Sequence, residues 1–314
     1  MSTQLSVSDK STEAFGERFR RLVPIRGDKT LVSIIVGLVL VVLVIPPLWF
    51  LAEGSVVFTD DAGRFVGVSL QRFADLVEGR GFAQSTLNSF TFAIGSAVLA
   101  LLIGGIVAWL VERTNTPFKP LAYLTTIISL GTPYVLYTSA WLLLLNKSGP
   151  VNSLYRDLTH STGFLIDVYG LPGMILVEGL LWSPLVFLLL GATLRNFNPE
   201  LEEAARMSGA GTWNTIRRIT LRLSMPSIMA LALLVFIRAL ESFEVPALIG
   251  LPGRVHVLTT DIYDTMHLTM PPDLGSASAL SVLLLIIVSI LLYFYSRMTK
   301  SAERFATITG KNFR

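Results

Sequence analysis

Cysteine is absent from the 314 residues of this chain, and charged residues and histidines are both scarce. Without cysteine the chain can form no disulfide, no thiolate-held iron–sulfur cluster and no thiol nucleophile. Only 15% of the residues are charged, whereas soluble domains carry about 25%. The composition therefore argues against an ordinary soluble domain.

Apolar residues make up 52% of the chain and are concentrated in long runs. A helix needs about 20 apolar residues to cross a bilayer. Six such runs predict an all-α, polytopic membrane protein, and they lie at about Leu31–Leu51, Leu87–Val111, Leu121–Leu145, Gly173–Leu194, from Pro226 to about Glu241, and Leu274–Tyr295. The first run is too long for a signal peptide and no small-residue cleavage site follows it, so we expect a retained membrane helix.

Basic residues predict the orientation of the spans, because cytoplasmic flanks are enriched in Lys and Arg. If the N-terminus is inside, the inner segments hold most of the 25 basic residues. We therefore expect both termini in the cytoplasm. Cytoplasmic tails at 1–30 and 297–314 would flank a membrane domain at 31–296.

The inner segment at 198–226, between the fourth and fifth spans, has the signals of two short helices. Asn198 suits the start of the first, Gly209 its interruption and Thr212 the start of the second, which Pro226 would end as it opens the fifth span. The segment also contains small residues that would let a partner approach closely, namely Ala204, Ala205, Gly209 and Ala210. From the residues alone, a docking hairpin and an amphipathic helix lying on lipid headgroups both remain open.

The spacing within this segment resembles the EAA loop of permeases in type I ATP-binding-cassette (ABC) importers. The matching residues are Glu203, Ala204, Ala205, Gly209, Ala210, Ile216, Ile219 and Pro226. Two positions depart from the family pattern, which usually has an aromatic residue where Ile216 stands and a proline where Arg222 stands. The departures leave the Glu-Ala-Ala-x3-Gly core intact, and they suggest that the second helix runs straighter into the membrane.

The resemblance implies the fold of a type I importer permease, with loop 198–226 as the coupling helix that docks on cytoplasmic ABC ATPase subunits. It further implies an extracytoplasmic substrate-binding protein, membrane lipid and a second permease half, as a homodimer, a heterodimer or a fused chain, but no nucleic acid. ATP and magnesium would be held by the ATPase. This chain would then bind no cofactor or metal and would not be an enzyme, and the pair Gly310-Lys311 lacks the rest of a phosphate-binding loop.

Three further segments are similar to ferric-iron-type and polyamine-type permeases: Glu112-Arg113-Thr114, Glu241 to Gly250, and Gly275 to Leu280. This resemblance implies a small solute, with ferric iron favoured over a polyamine. In the iron branch two such halves are often fused. The chain could therefore be a half-size subunit or one half of a longer protein.

Two charged residues fall within predicted spans, where each costs about 2.5–3.5 kcal/mol on insertion scales and so requires a reason. Glu178 lies in the fourth span and Arg238 in the fifth, at a similar predicted depth. One interpretation is an ion pair that lines the translocation path. In the alternative, Arg238 pairs locally with Glu241 and Glu178 faces water.

Glu241, Ser242 and Glu244 precede Pro246, where the helical pattern breaks. Irregular backbone at membrane depth is tolerated only where it lines a cavity or is buried in protein. These three residues are therefore candidates for the translocation path or an outer gate, where two carboxylates would suit a cationic substrate. An outer loop that is acidic by chance is the alternative.

Other function classes make different demands on the sequence. An ion-gradient-driven transporter would show inverted repeats and ionisable residues near the membrane midplane. A membrane scaffold would not need the coupling loop, and an intramembrane enzyme would need a catalytic constellation, which does not stand out here. His160, His256 and His267 fall on predicted outer loops without metal-ligand spacing, so we interpret them as ordinary surface residues. We therefore expect a permease without catalytic residues.

The orientation can be tested because the chain has no native thiol. We predict that Ser208→Cys, on the inner loop, and Ser148→Cys, on an outer loop, react from opposite sides of the membrane. In intact cells treated with a membrane-impermeant maleimide, only Ser148→Cys should be labelled before lysis. Labelling of Ser208→Cys from outside would reverse the orientation and remove the loop from the cytoplasm.

Overall fold

The computed structural model describes residues 28–59, 65–196, 203, 205, 207–209 and 211–306. The chain divides into two compact units, at 1–54 and 55–314. Within the described ranges the regular secondary structure is helical apart from one two-stranded antiparallel hairpin, so the predicted all-α class is confirmed. The predicted tails lie largely outside the described residues.

The secondary structure elements follow one another along the chain. They are α1 (Asp28–Val56), β1 (Val57–Thr59), β2 (Phe65–Val68), α2 (Gln71–Glu78), α3 (Arg80–Arg113), α4 (Lys119–Gly131), α5 (Tyr134–Leu145), α6 (Pro150–Thr159), α7 (Leu171–Arg195), α8 (Thr212–Thr215), a π-helical turn (Ile216–Thr220), α9 (Leu221–Leu240), a second π-helical turn (Pro246–Gly250), α10 (Leu258–His267) and α11 (Leu274–Ala306).

Five described helical segments are long and apolar enough to cross a membrane. They are Leu31–Val56, Gly81–Arg113, Leu171–Arg195, Thr212–Leu240 and Leu274–Thr299. The predicted third span is instead a pair of helical segments, Lys119–Gly131 and Tyr134–Thr159, bent by 108°. The pair makes a sixth span if it is counted as one.

The bend in the third span has a local cause. Pro133 has no backbone N–H and disfavours the helical conformation at the residue before it. Thr132 accordingly has an extended backbone, with ψ 128°. The prediction of one straight helix at 121–145 overlooked this proline.

The fifth span also differs from the prediction. Pro226 was expected to end a short helix, but it lies inside a continuous helical segment, Thr212–Leu240. Neighbouring helices allow proline within membrane helices, which explains why the segment continues. Thr212 was predicted to cap this helix, but it is the first helical residue and Gly211 precedes it as the cap, so the helix begins one residue earlier than predicted.

Close packing of α3 against α7 forms the centre of the second unit. A Cβ atom on Gly104 would lie 2.5 Å from the Ser183 carbonyl oxygen, and one on Gly179 would lie 2.8 Å from the Leu99 side chain. Small residues let membrane helices approach closely, and that contact replaces the hydrophobic driving force that lipid removes. The two helices therefore meet almost backbone to backbone.

We predict that Gly104→Ala destabilises the protein and that the adjacent Gly105→Ala does not. A Cβ atom on Gly105 would lie 3.5 Å from the Leu190 side chain, which is an ordinary contact. Overpacking at Gly104 should cost about 1–3 kcal/mol. The Tm of the detergent-purified variants measures the difference, and equal Tm values would contradict the proposed backbone contact.

Candidate functional site

The loop between α7 and α8 carries the candidate coupling residues. Glu203, Ala205 and Gly209 are described, whereas Ala204 and Ala210 lie outside the described residues, as does Asn198. Ile216 lies in the first π-helical turn and Pro226 in α9. The loop residues therefore lead directly into the fifth span.

Gly209 forms the exposed turn of this loop. Its φ is +80°, a left-handed conformation that glycine adopts without steric cost, and a Cβ atom there would meet nothing within 4 Å. Met207 and Trp213 flank the turn and are 89% and 72% exposed. Large apolar side chains exposed beside a turn are typical of a surface that contacts a partner.

A polar network joins the helix ends near this loop. Glu112, at the end of α3, accepts a hydrogen bond from the Tyr123 hydroxyl of α4 and lies 3.8 Å from the Arg195 guanidinium at the end of α7. The Arg195 guanidinium also lies over the Tyr123 ring, 5.6 Å from its centroid. Arg113 donates to the Leu194 carbonyl at 2.8 Å. The network fixes the end of α7 at the point where the coupling loop begins.

Sequence reasoning used Glu112 and Arg113 to mark the end of the second span and as part of a resemblance to two permease branches. It also counted Arg113 among the inner basic residues, but it gave neither residue a side-chain partner. A signal for the network was present, since Arg195 ends the fourth span as Glu112 and Arg113 end the second. These charged residues indicate a network only when the packing of α3 against α7 brings the C-terminal ends of the two helices together.

Glu178 occupies a buried position near the other end of α7. Its side chain is 1% exposed, and it accepts hydrogen bonds from the Trp182 indole at 2.9 Å and from the Ser242 hydroxyl at 3.0 Å. Burying a carboxyl group is costly unless it is hydrogen-bonded, and these two donors supply part of the compensation. The alternative interpretation expected Glu178 to face water. That expectation is wrong, because the side chain is buried.

Arg238 forms the local contact that the alternative interpretation expected. Its guanidinium lies 3.7 Å from the Glu241 carboxylate, three residues further along, and both side chains are substantially exposed. It also lies over the Trp182 ring, 5.3 Å from the centroid. Among the described contacts there is no ion pair between Glu178 and Arg238, so the cross-span pair is not formed.

The chain leaves the helical conformation after α9, where the sequence indicated a break. The Ser242 carbonyl accepts a hydrogen bond from Thr259 at 2.8 Å, and the second π-helical turn follows with Pro246 and Ile249 buried. The irregular segment is therefore held by protein contacts, which satisfies the condition for irregular backbone at membrane depth. Of the candidate path residues, the structure brings together Glu178 and Ser242, while Glu241 is exposed beside Arg238.

A second polar cluster, which sequence reasoning missed, follows the second π-helical turn. The His256 Nδ1 atom lies 3.5 Å from Asp261 and 3.2 Å from Asp264, two residues that are one helical turn apart on α10. Burial raises the pKa of Asp261 above its usual value, although a hydrogen bond with Ser85 and the nearby imidazole oppose the rise. His256 is therefore part of a cluster and not an isolated surface residue.

Comparison with known families and proteins matches residues 100–300 to the binding-protein-dependent transport system inner membrane component. The chain is 25% identical over 304 residues to the ferric transport system permease protein FbpB of Actinobacillus pleuropneumoniae, which covers 94% of this chain and 42% of that protein. It is 25% identical over 279 residues to the spermidine/putrescine transport system permease protein PotB of Haemophilus influenzae, covering 88% and 96%. The chain thus spans less than half the length of FbpB.

A solved structure shares the fold. A chain of a bacterial alginate ABC transporter, crystallised in complex with an alginate pentasaccharide-bound periplasmic protein, superposes with a TM-score of 0.68 at 17% identity. The match covers 88% of this chain and 96% of that one. At this identity the likeness establishes the fold and leaves the substrate open.

We predict that the hydrogen bond between Ser242 and Glu178 stabilises the fold. Ser242→Ala should cost about 1–3 kcal/mol, because it leaves a buried carboxyl oxygen without its hydrogen-bond donor. In a Glu178→Met background the same substitution should cost much less, because the hydroxyl has already lost its acceptor.

Arg238→Gln serves as the matched control for this double-mutant cycle. It should lower the Tm of the purified protein by a similar amount in both backgrounds, since its ion pair is with Glu241. A larger coupling free energy between Glu178 and Arg238 than between Glu178 and Ser242 would contradict this prediction and support the cross-span ion pair.

Proposed function

Because the chain belongs to the family of binding-protein-dependent transport system inner membrane components, we propose that it takes a small cationic solute inward and is driven through its loop at 198–226. Membership of this family makes it an ABC importer permease, a multi-pass membrane protein with the fold predicted from the sequence. The cargo and the coupling route are the proposed parts.

The exposed turn at Gly209 is the observation that carries the coupling proposal. The turn presents backbone without a side chain between two exposed apolar residues, Met207 and Trp213, which suits insertion into a groove of a partner. Cytoplasmic ABC ATPase subunits are the proposed partners, and ATP with magnesium would bind there and not in this chain.

The continuous fifth span offers a mechanical route from this turn to the candidate path. Thr212–Leu240 contains 29 residues and is about 43 Å long. One end adjoins the coupling loop, and Ser242, just beyond the other end, donates a hydrogen bond to Glu178. A displacement of the loop by the ATPase would therefore be transmitted along one continuous helical segment towards the residues beside the buried carboxyl group.

The remaining partners and the location follow from the same proposal. An extracytoplasmic binding protein would deliver the solute, and a second permease half would complete the pathway. The proposed location is the bacterial inner membrane, with both termini in the cytoplasm. ATP binding would draw the two coupling loops together and turn the pathway from inward-facing to outward-facing.

Ferric iron is the proposed cargo, with a polyamine as the second candidate. FbpB is named for ferric transport and PotB for spermidine and putrescine, and all three of these solutes are cationic. Glu178 and Glu244 lie on the candidate path, and within the described residues neither forms an ion pair with Lys or Arg. Carboxyl groups with this environment favour a cationic solute over an anion.

We predict that Gly209→Asp abolishes uptake and weakens retention of the ATPase while leaving expression unchanged. The substituted residue would be strained at φ +80° and would place a charge where the partner surface must approach. The measurement is made on the complex reconstituted with its ATPase and binding protein. Expression, co-purified ATPase and uptake are recorded together.

Gly67→Asp is the matched control, because a Cβ atom there also meets nothing within 4 Å and Gly67 lies in the β1–β2 hairpin, far from the loop in sequence. This variant should retain the ATPase as the unaltered protein does. Normal uptake and normal ATPase retention in Gly209→Asp would refute the coupling role of the loop.

A further inference from the structure

A cavity of about 590 Å³ lies beside α10, where it is lined by residues of α2, the beginning of α3 and the segment 254–269. The segment follows the end of α9, whereas the coupling loop precedes α8. Because one continuous helical segment separates the two, the cavity and the loop lie at opposite ends of the fifth span. His256, Asp261 and Asp264 all line this cavity.

The three side chains converge closely enough to share one ion. One ligand atom from each, the imidazole nitrogen and two carboxylate oxygens, lies within 4.8 Å of the other two. Metal ions bind nitrogen and oxygen ligands at about 2.0–2.4 Å, so two ligands of one ion are at most about 4.8 Å apart. The cluster meets this condition with little rearrangement.

The unfilled acceptor capacity of Asp264 points independently to a ligand. Its Oδ1 atom is closed to solvent and accepts no hydrogen bond from any described residue. An unsatisfied buried oxygen costs free energy, and a cation would remove that cost. His256 accounts only for the other carboxylate oxygen, Oδ2, at 3.2 Å.

A buried hydroxyl lies near Asp261. Ser85, on α3, is 3% exposed, and its hydroxyl is close enough to the Asp261 carboxylate to oppose the rise in its pKa. Metal-binding carboxylates commonly have a further polar partner besides the metal. Asp261 has such a neighbour on α3 in addition to the imidazole of His256.

We propose that His256, Asp261 and Asp264 bind a first-row transition-metal cation at this end of the bundle. Imidazole favours such ions over magnesium and calcium, and the two carboxylates favour manganese and iron over copper. Three protein ligands leave further coordination positions open towards the cavity, which is typical of a site that exchanges its ligands. If the proposed function holds, the site lies at the outer mouth, where the cargo would first meet the permease.

The test uses the full-length purified chain and Mn²⁺ as the probe. We expect one saturable Mn²⁺ per chain, with the electron paramagnetic resonance spectrum showing coupling to an imidazole nitrogen. Asp264→Asn and His256→Gln should each weaken binding about 10-fold or more, and His256→Gln should also remove the nitrogen coupling.

Two variants serve as matched controls. Asp75 lines the same cavity outside the cluster, and His160 lies at the end of α6. Asp75→Asn and His160→Gln should therefore leave the Mn²⁺ affinity within about twofold, well below the loss of about 10-fold or more expected for the proposed ligands. No saturable binding, or equal affinities in Asp264→Asn and Asp75→Asn, would overturn the site.

This outcome is separable from the proposed function. Gly209→Asp changes only the loop at the opposite end of the fifth span, so it should bind Mn²⁺ as the unaltered chain does even though uptake is lost. If Mn²⁺ binds and Gly209→Asp still transports, the metal site stands and the coupling proposal fails. If Mn²⁺ does not bind and Gly209→Asp is inactive, the reverse holds.

Discussion

In a bilayer, lipid is as apolar as the helices it surrounds, so helices associate through close packing and hydrogen bonds and not through hydrophobic burial. The packing of α3 against α7 satisfies this constraint with glycine on both helices. Gly104 faces Ser183 and Val186, and Gly179 faces Leu99. No larger residue would fit at Gly104 without moving the Ser183 carbonyl, so the spacing of the two helices is set by the absence of side chains.

The polar contacts of Glu178 and of Glu112 both follow from this packing. Gly179 allows α3 to approach α7 closely at this point. Glu178, the residue before it, is 1% exposed, so a carboxyl group is buried beside a close contact of the two helices. Near the other end of α7, a Cβ atom on Gly191 would lie 3.4 Å from the Glu112 carboxylate. The Glu112 network thereby fixes the end of α7 to α3 and α4, whereas the fifth span connects the loop to the candidate path. The fixed helix and the connecting helix lie on either side of the coupling loop.

The parts of the fold that were predictable are those in which the signal is local. Run length identified the spans, the glycines identified the turn near residue 209, and Pro246 marked the end of the fifth helical pattern. Pro226 misled the prediction because its effect depends on neighbouring helices. Pro133 carried the right signal for the bent third span, but the apolar run around it masked that signal.

The side-chain contacts of the candidate site could not be predicted because they join distant residues. The hydrogen bond from Ser242 to Glu178 spans 64 positions, and no periodicity specifies it. The predicted depths placed Arg238 and Glu178 at a similar level, and both contact Trp182. Depth does not determine how each helix is rotated about its axis, and that rotation decides which side chains meet. The cluster at His256 was not predicted for a related reason. Metal-ligand spacing rules describe motifs that are continuous in sequence, whereas this cluster combines a loop residue with two positions on a helix.

The choice of partner for Glu178 matters for transport. An ion pair with Arg238 would have cancelled the carboxyl group's charge within the bundle, and separating it during a conformational change would have exposed an uncompensated charge on each side. Trp182 and Ser242 stabilise the carboxyl group by hydrogen bonds and leave it without a cationic partner among the described contacts. A passing cation could therefore be attracted without first displacing a bound arginine. Because Ser242 follows the fifth span directly, a movement of this span of the kind proposed for coupling would also change the environment that a cation meets at Glu178.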